Sequence, residues 1–170
     1  GNEMPIMFNS ILQEAGLSLA DVRLIRHKDK NASRGRTPYE LWRDNRSLFE
    51  YYQSTQSIPN RKKFTALYWA VFIVNLSNDT MFAGLYGVKY RGLLKEDTPK
   101  PHMEGIDKAG SYDIYDLTLL ETLNEFIGKL YIDWGPAALA WVQYAERNNK
   151  PVIELQKAGV LSNVVDGGYP

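Results

Sequence analysis

The chain has 170 residues, 44% hydrophobic and 24% charged, with as many basic as acidic side chains and no cysteine. That size and apolar content fit one domain with a proper core, and the lack of cysteine excludes a disulfide framework, a thiolate nucleophile and a cysteine zinc site. No apolar run reaches the roughly 18 residues of a membrane span, and the N-terminus lacks the layout of a secretory signal, so a bacterial cytoplasmic location and no membrane partner are expected.

Phe8, Ile11, Leu12 and Ala15 recur at helical spacing, and Gly16 can end that helix. Ser18 and Asp21 mark a short capped turn before a strand over residues 22–27. Residues 28–36 read as a polar, basic loop. Thr37-Pro38-Tyr39-Glu40 predicts a helix start, with Thr as the cap, Pro at the first position and Glu three residues after the cap. That helix runs to about residue 44, and a second covers residues 47–52. Residues 67–76 are rich in aromatic and β-branched side chains and predict a strand; Ser77-Asn78-Asp79 turns the chain, and residues 80–90 return it. Gly84 and Gly87 fall inside the return strand, where glycine marks a bulge or a close approach.

Residues 91–112 show no periodicity and read as a long loop, a length that is often functional. Residues 114–121 and 129–134 predict two more strands. Gly135-Pro136 then opens a helix using Leu139, Trp141, Val142, Tyr144 and Ala145, and residues 151–156 form a last strand. The fold class expected is α+β: a small, mostly antiparallel sheet or barrel with N-terminal helices and one late helix. It forms a single domain over residues 1–170, with its core at about 8–156. Strand runs separated by hairpins rather than crossover helices argue against a doubly wound nucleotide-binding fold.

The neutral total hides a polarised chain. Residues 23–63 carry eleven Lys/Arg against four Asp/Glu, and residues 92–170 carry seven against twelve. A basic half can serve as a phosphate footprint, although a solvated basic surface balanced by an acidic one gives the same count. The side chains expected to meet a DNA backbone are Arg26, His27, Lys28, Arg34, Arg36, Arg61, Lys62 and Lys63.

No catalytic set emerges. His27 and His102 have no metal spacing, and there is no G-x-S-x-G elbow, phosphate loop or G-x-G-x-x-G. Neither a metal nor a cofactor is expected. Asp113, Asp116 and Glu121 lie close in sequence, but a strand turns the first two to opposite faces, against a converging acid pair. The aromatics say more. Asp133-Trp134 ends a strand, where an indole can stack on a base and the acid accept from its exocyclic amine. A buried Trp beside a helix-capping Asp is the plainer alternative. Tyr52-Gln53-Ser54-Thr55-Gln56 combines a ring with amides and hydroxyls able to bond base edges, or is simply a helix end and a solvated loop. The candidate base pocket is therefore Trp69, Asp133, Trp134, Tyr52, Gln53, Thr55 and Gln56.

Four segments occur in a telling order: Phe8-Asn9-Ser10-Ile11-Leu12-Gln13-Glu14-Ala15-Gly16, Leu24-Ile25-Arg26-His27, Tyr52-Gln53-Ser54-Thr55-Gln56 and Phe82-Ala83-Gly84-Leu85-Tyr86. Together they resemble the N-terminal domain of bacterial GIY-YIG nuclease family proteins. Gly84-Leu85-Tyr86 is not the GIY element itself, since no Tyr-Ile-Gly follows at hairpin distance. The nuclease domain is expected beyond Pro170. The hairpin over residues 68–88 is also similar in pattern to the core of PUA-like barrels, which include readers of modified bases. The resemblance implies a DNA-recognition domain of a restriction-type, modification-dependent endonuclease in phage defence. Its partners would be double-stranded DNA and the tethered nuclease, and a modified cytosine would flip into an aromatic pocket. Two other readings stay open: a protein-interaction or homodimerisation module that positions the nuclease, and an enzyme using Asp113, Asp116 or Glu121.

Overall fold

The computed structural model describes residues 5–29, 32–33, 35–94, 112–136 and 138–156. Three α-helices, α1 (Phe8–Glu14), α2 (Pro38–Asp44) and α3 (Arg46–Ser54), flank eight strands. The strands are β1 (Val22–His27), β2 (Thr55–Ser57), β3 (Tyr68–Val74), β4 (Thr80–Leu93), β5 (Tyr112–Leu119), β6 (Leu130–Ile132), β7 (Val142–Tyr144) and β8 (Val152–Leu155). Their order is β2-β5-β4-β3-β1-β7, and β6 joins β4 to β8. All the pairings are antiparallel except β1 with β3. This is the α+β, mostly antiparallel sheet expected from the pattern, curled into a half-barrel.

Local chemistry explains most of the elements. The Thr37 hydroxyl accepts from the Glu40 N–H at 3.2 Å while the Glu40 carboxylate accepts from the Thr37 N–H at 3.0 Å, a reciprocal cap that starts α2. Asn45 ends α2 and caps α3 through the Leu48 N–H. β4 bends because Ala83 is an extra residue: Val71 faces Gly84 and Phe72 faces Phe82. Gly84, one of the two glycines expected to mark a bulge or a close approach, sits beside that bulge at φ +137°, a conformation side chains rarely adopt.

The sheet separates two cores. Ile25, Trp69, Val71, Ile73 and Tyr86 point to one face and are covered by Leu41, Phe49 and Phe64. Val22, Leu24, Ala70, Phe72 and Leu85 point to the other and meet Phe8, Leu12, Leu130 and Trp134. Strand alternation therefore sends Arg26 to the α1 side and His27 to the α3 side.

Two expectations need correction here. The helix after Gly135-Pro136 is absent: residues 142–144 pair with β1 as a strand, and only a 3₁₀ turn, Ala145–Arg147, follows. The open edge of β1 supplies backbone partners that outweigh the helical spacing of the apolar residues. The expected loop after residue 90 begins later, since β4 runs on to Leu93; residues 95–111 of that segment lie outside the described residues.

Candidate functional site

The C-terminal end of β1 is the natural place to build a site. The strand ends where its two faces stop being covered, and a concavity opens on each side. On the α3 side, Arg26, His27, Lys28, Asp29, Tyr52 and Trp141 line a pocket of about 390 Å³. On the α1 side, a polar pocket of about 220 Å³ is bounded by Arg26, Lys28, Asp79, Thr80, Asp133 and Trp134. Arg26 and Lys28 belong to both. A third, more apolar groove of about 590 Å³ lies between α1 and β8, but Glu14 and Glu125 line it, the wrong sign for phosphate.

The 390 Å³ pocket has aromatic walls. Its imidazole, His27, lies 5.4 Å from the Tyr52 ring and 6.2 Å from Trp141, with Phe49 behind at 5.6 Å. Trp141 is fixed from outside by Phe64, at 5.7 Å, and its carbonyl accepts from the Arg26 N–H at 2.9 Å. Phe64 ends the 3₁₀ segment Ile58–Phe64, whose Lys62 and Lys63 are exposed. Burial pushes the His27 imidazolium down to about 4, against a small opposing pull from its Gln53 bond, so the ring is neutral at physiological pH. The Tyr52 phenol is pushed up by burial and by nearby Asp29, so it too is neutral. Lys28 and Asp29 are the exposed charges at the mouth.

Behind His27 runs a buried polar chain. His27 Nε2 stands 2.9 Å from Gln53 Oε1, Gln53 Nε2 donates to Glu50 Oε1 at 3.3 Å, and the Tyr86 hydroxyl donates to the same carboxylate oxygen at 3.1 Å. Burial raises the Glu50 carboxyl above its ordinary range, with the Tyr86 bond pulling back.

No family model, no curated protein and no solved structure matches this chain. What the site can do must be read from its own atoms.

Of the residues expected in a base pocket, only Tyr52 lines the aromatic one. Gln53 is fully buried behind His27, so it supports the wall without forming it. Thr55 and Gln56 are consumed by β2, paired to Ile114 and Asp113. Trp69 is sealed in the core between Phe64 and Tyr115, at 5.0 and 5.3 Å, because its position on β3 faces α2 and α3. Asp133 and Trp134 stand in the polar pocket on the opposite face of β1. There Asp133 accepts from the Gly135 N–H, and the buried Trp134 ring meets the Arg26 guanidinium at 5.2 Å and the Lys150 ammonium at 4.7 Å. Trp141 is the wall residue the sequence reading missed, having placed it on the apolar side of a helix.

The expected backbone contacts divide in the same way. Arg26 and His27 are buried, and Arg61 is held by the Asp113 carboxylate through two bonds at 2.7 and 2.8 Å. Arg26 and His27 line the pockets, and Arg61, though its side chain is 45% exposed, is ion-paired. Lys28, Lys62 and Lys63 are exposed and Arg36 is half-buried, while Arg34 lies outside the described residues. Asp113 also accepts from the Tyr90 hydroxyl, Asp116 pairs with Arg91 at 3.3 Å, and Glu121 is exposed, so the three acids do not converge. Among the described residues, no three His, Asp or Glu side chains group to hold a metal ion, and no helix is long and apolar enough to cross a membrane.

Proposed function

We propose that this chain is the DNA-recognition domain of a restriction-type endonuclease. It reads a modified base, a modified cytosine in the first instance, by taking it out of the duplex into the pocket between Tyr52 and Trp141. The observation that carries this reading is the pocket itself: about 390 Å³, walled by Tyr52, Trp141 and a neutral His27, with Lys28 at its mouth. That volume falls in the range of about 300–1,000 Å³ found for small-molecule pockets. Flat aromatic walls suit the faces of a base, whose stacking is worth about 1–3 kcal/mol. This gain is of the size needed to offset the few kcal/mol that unstacking costs. Lys28 supplies a cation at the mouth for a flanking phosphate, and the exposed Lys62 and Lys63 are further candidates for backbone contacts.

The test is binding of duplexes carrying 5-methylcytosine, 5-hydroxymethylcytosine or cytosine at one position, over a range of salt. The expected result is a preference for a modified duplex that Trp141→Ala abolishes. Equal affinity for all three, with a steep salt dependence that Trp141→Ala leaves alone, reduces the domain to a non-specific polyanion binder.

A further inference from the structure

The polar chain behind the pocket has a directional consequence. A carboxylate only accepts, and Glu50 Oε1 already receives the Tyr86 hydroxyl. With Glu50 ionised, the Gln53 amide turns its NH₂ toward Glu50, as its 3.3 Å contact has it, and its carbonyl oxygen toward His27. That oxygen can only accept, so His27 carries its proton on Nε2 and leaves Nδ1 as a bare lone pair. The imidazole is 2% exposed, and Phe49, Tyr52 and Trp141 surround it. Asp29, the carboxylate lining the pocket, lies at the exposed mouth.

We propose that His27, locked as the Nε2–H tautomer by Gln53, is the specificity-determining acceptor of the pocket and selects bases that bear an exocyclic amino group. This rests on the base-reading function proposed above and assigns the amine reading to His27 rather than to Asp133. Gln53 is the positioning residue and Glu50 its anchor. A cytosine or adenine amine donates to Nδ1. A uracil or thymine carbonyl at the same place brings lone pair against lone pair at a buried ring nitrogen. Selection thus comes mostly from rejection of the wrong base.

The experiment compares two duplexes that differ only in carrying cytosine or uracil opposite an abasic site, so that extrusion costs are matched. Wild type is expected to favour cytosine by about tenfold or more, the discrimination of one good base contact. Gln53→Leu, which preserves bulk but frees the tautomer, is expected to bring the cytosine-to-uracil ratio toward one. Imidazole ¹⁵N shifts give an independent readout: the resonance that Gln53→Leu perturbs should show Nε2 as N–H and Nδ1 as lone pair. Equal binding of cytosine and uracil, with both still weakened by Trp141→Ala, overturns the inference and leaves the pocket reading intact. Binding that ignores Trp141→Ala altogether overturns both. An Nδ1–H tautomer in the free protein overturns the inference by itself.

Discussion

Gln53 Oε1 lies 2.9 Å from His27 Nε2, and that contact ties the last turn of α3 to the end of β1. It places a fully buried amide against a fully buried imidazole, so each satisfies a polar atom that would otherwise be costly to bury. It also makes His27 a rigid part of the pocket instead of a surface cation.

The pH dependence of folding should report this arrangement. His27 is held neutral down to about pH 4 in the folded chain, against an ordinary value of 6.5. Between those values the unfolded chain binds a proton that the folded chain does not, so the His27 contribution is complete above pH 6.5 and is lost as pH falls toward 4. The full loss is about 3 kcal/mol at the usual 1.36 kcal/mol per unit. Urea unfolding of wild type and His27→Gln from pH 7.5 to 4 should show the steeper decline in wild type. Parallel curves would mean that His27 is not buried neutral.

Arg61, Lys62 and Lys63 are adjacent in sequence but not equivalent. All three are exposed, but Arg61 is also bound in two places by the buried Asp113 carboxylate, which it holds below the ordinary carboxylate range. Arg61→Ala should lower the Tm by stranding that carboxylate. Asp113 ionisation is stabilising, so the Tm difference between wild type and Arg61→Ala should shrink as pH falls below the ordinary carboxylate range. If Lys62 and Lys63 meet phosphates, each Lys→Ala change should reduce the slope of log K against log salt by about 0.9, and Arg61→Ala should not. Binding isotherms at four salt concentrations, with thermal melts, separate the two roles.

How legible the molecule is from sequence depends on how local each cause is. The cap at Thr37 and the hairpin of β3 and β4 are written in neighbouring residues, and the sequence predicts both, while at Gly84 it narrows the choice to a bulge or a close approach. β7 is not: three residues become a strand because β1, far away in the chain, has an open edge. The pocket is divided in the same way. Tyr52 stood out by its neighbours, but Trp141 reaches the site only through β7, and the burial of Gln53 makes sense only once His27 faces it. A one-residue change of face along β1 separates Arg26 from His27, and periodicity cannot say which of the two faces a pocket.

Gly84 offers a test of the bulge. A Cβ there would lie 2.6 Å from Leu119 Cδ1 and 3.3 Å from the Tyr86 ring, and its φ of +137° is strained for any side chain. Leu119 is 40% exposed, so its terminal methyl can move away cheaply, whereas the backbone cannot. Gly84→Ala should therefore cost about 1–3 kcal/mol from the backbone conformation, and adding Leu119→Ala should recover little of it. Substantial rescue in the double variant would show that crowding, not φ, sets the cost.

The two tryptophans Trp69 and Trp141 should behave as opposites. Trp69 has no exposed surface, and its ring is gripped by Phe64 and Tyr115; its loss leaves a cavity that β3 and β4 cannot close. Trp69→Ala should cost about 3–5 kcal/mol of stability. Trp141 is only partly buried, on a three-residue edge strand's approach, and one side of its ring faces the pocket. Trp141→Ala should cost clearly less in a urea melt, yet remove the stacking wall and with it about 1–3 kcal/mol of affinity for a duplex carrying the preferred base. The milder Trp69→Phe keeps the core filled, and its affinity should match wild type. The pocket belongs to Trp141 only if these two measurements move independently; if affinity follows stability across the three variants, the loss reflects the fold.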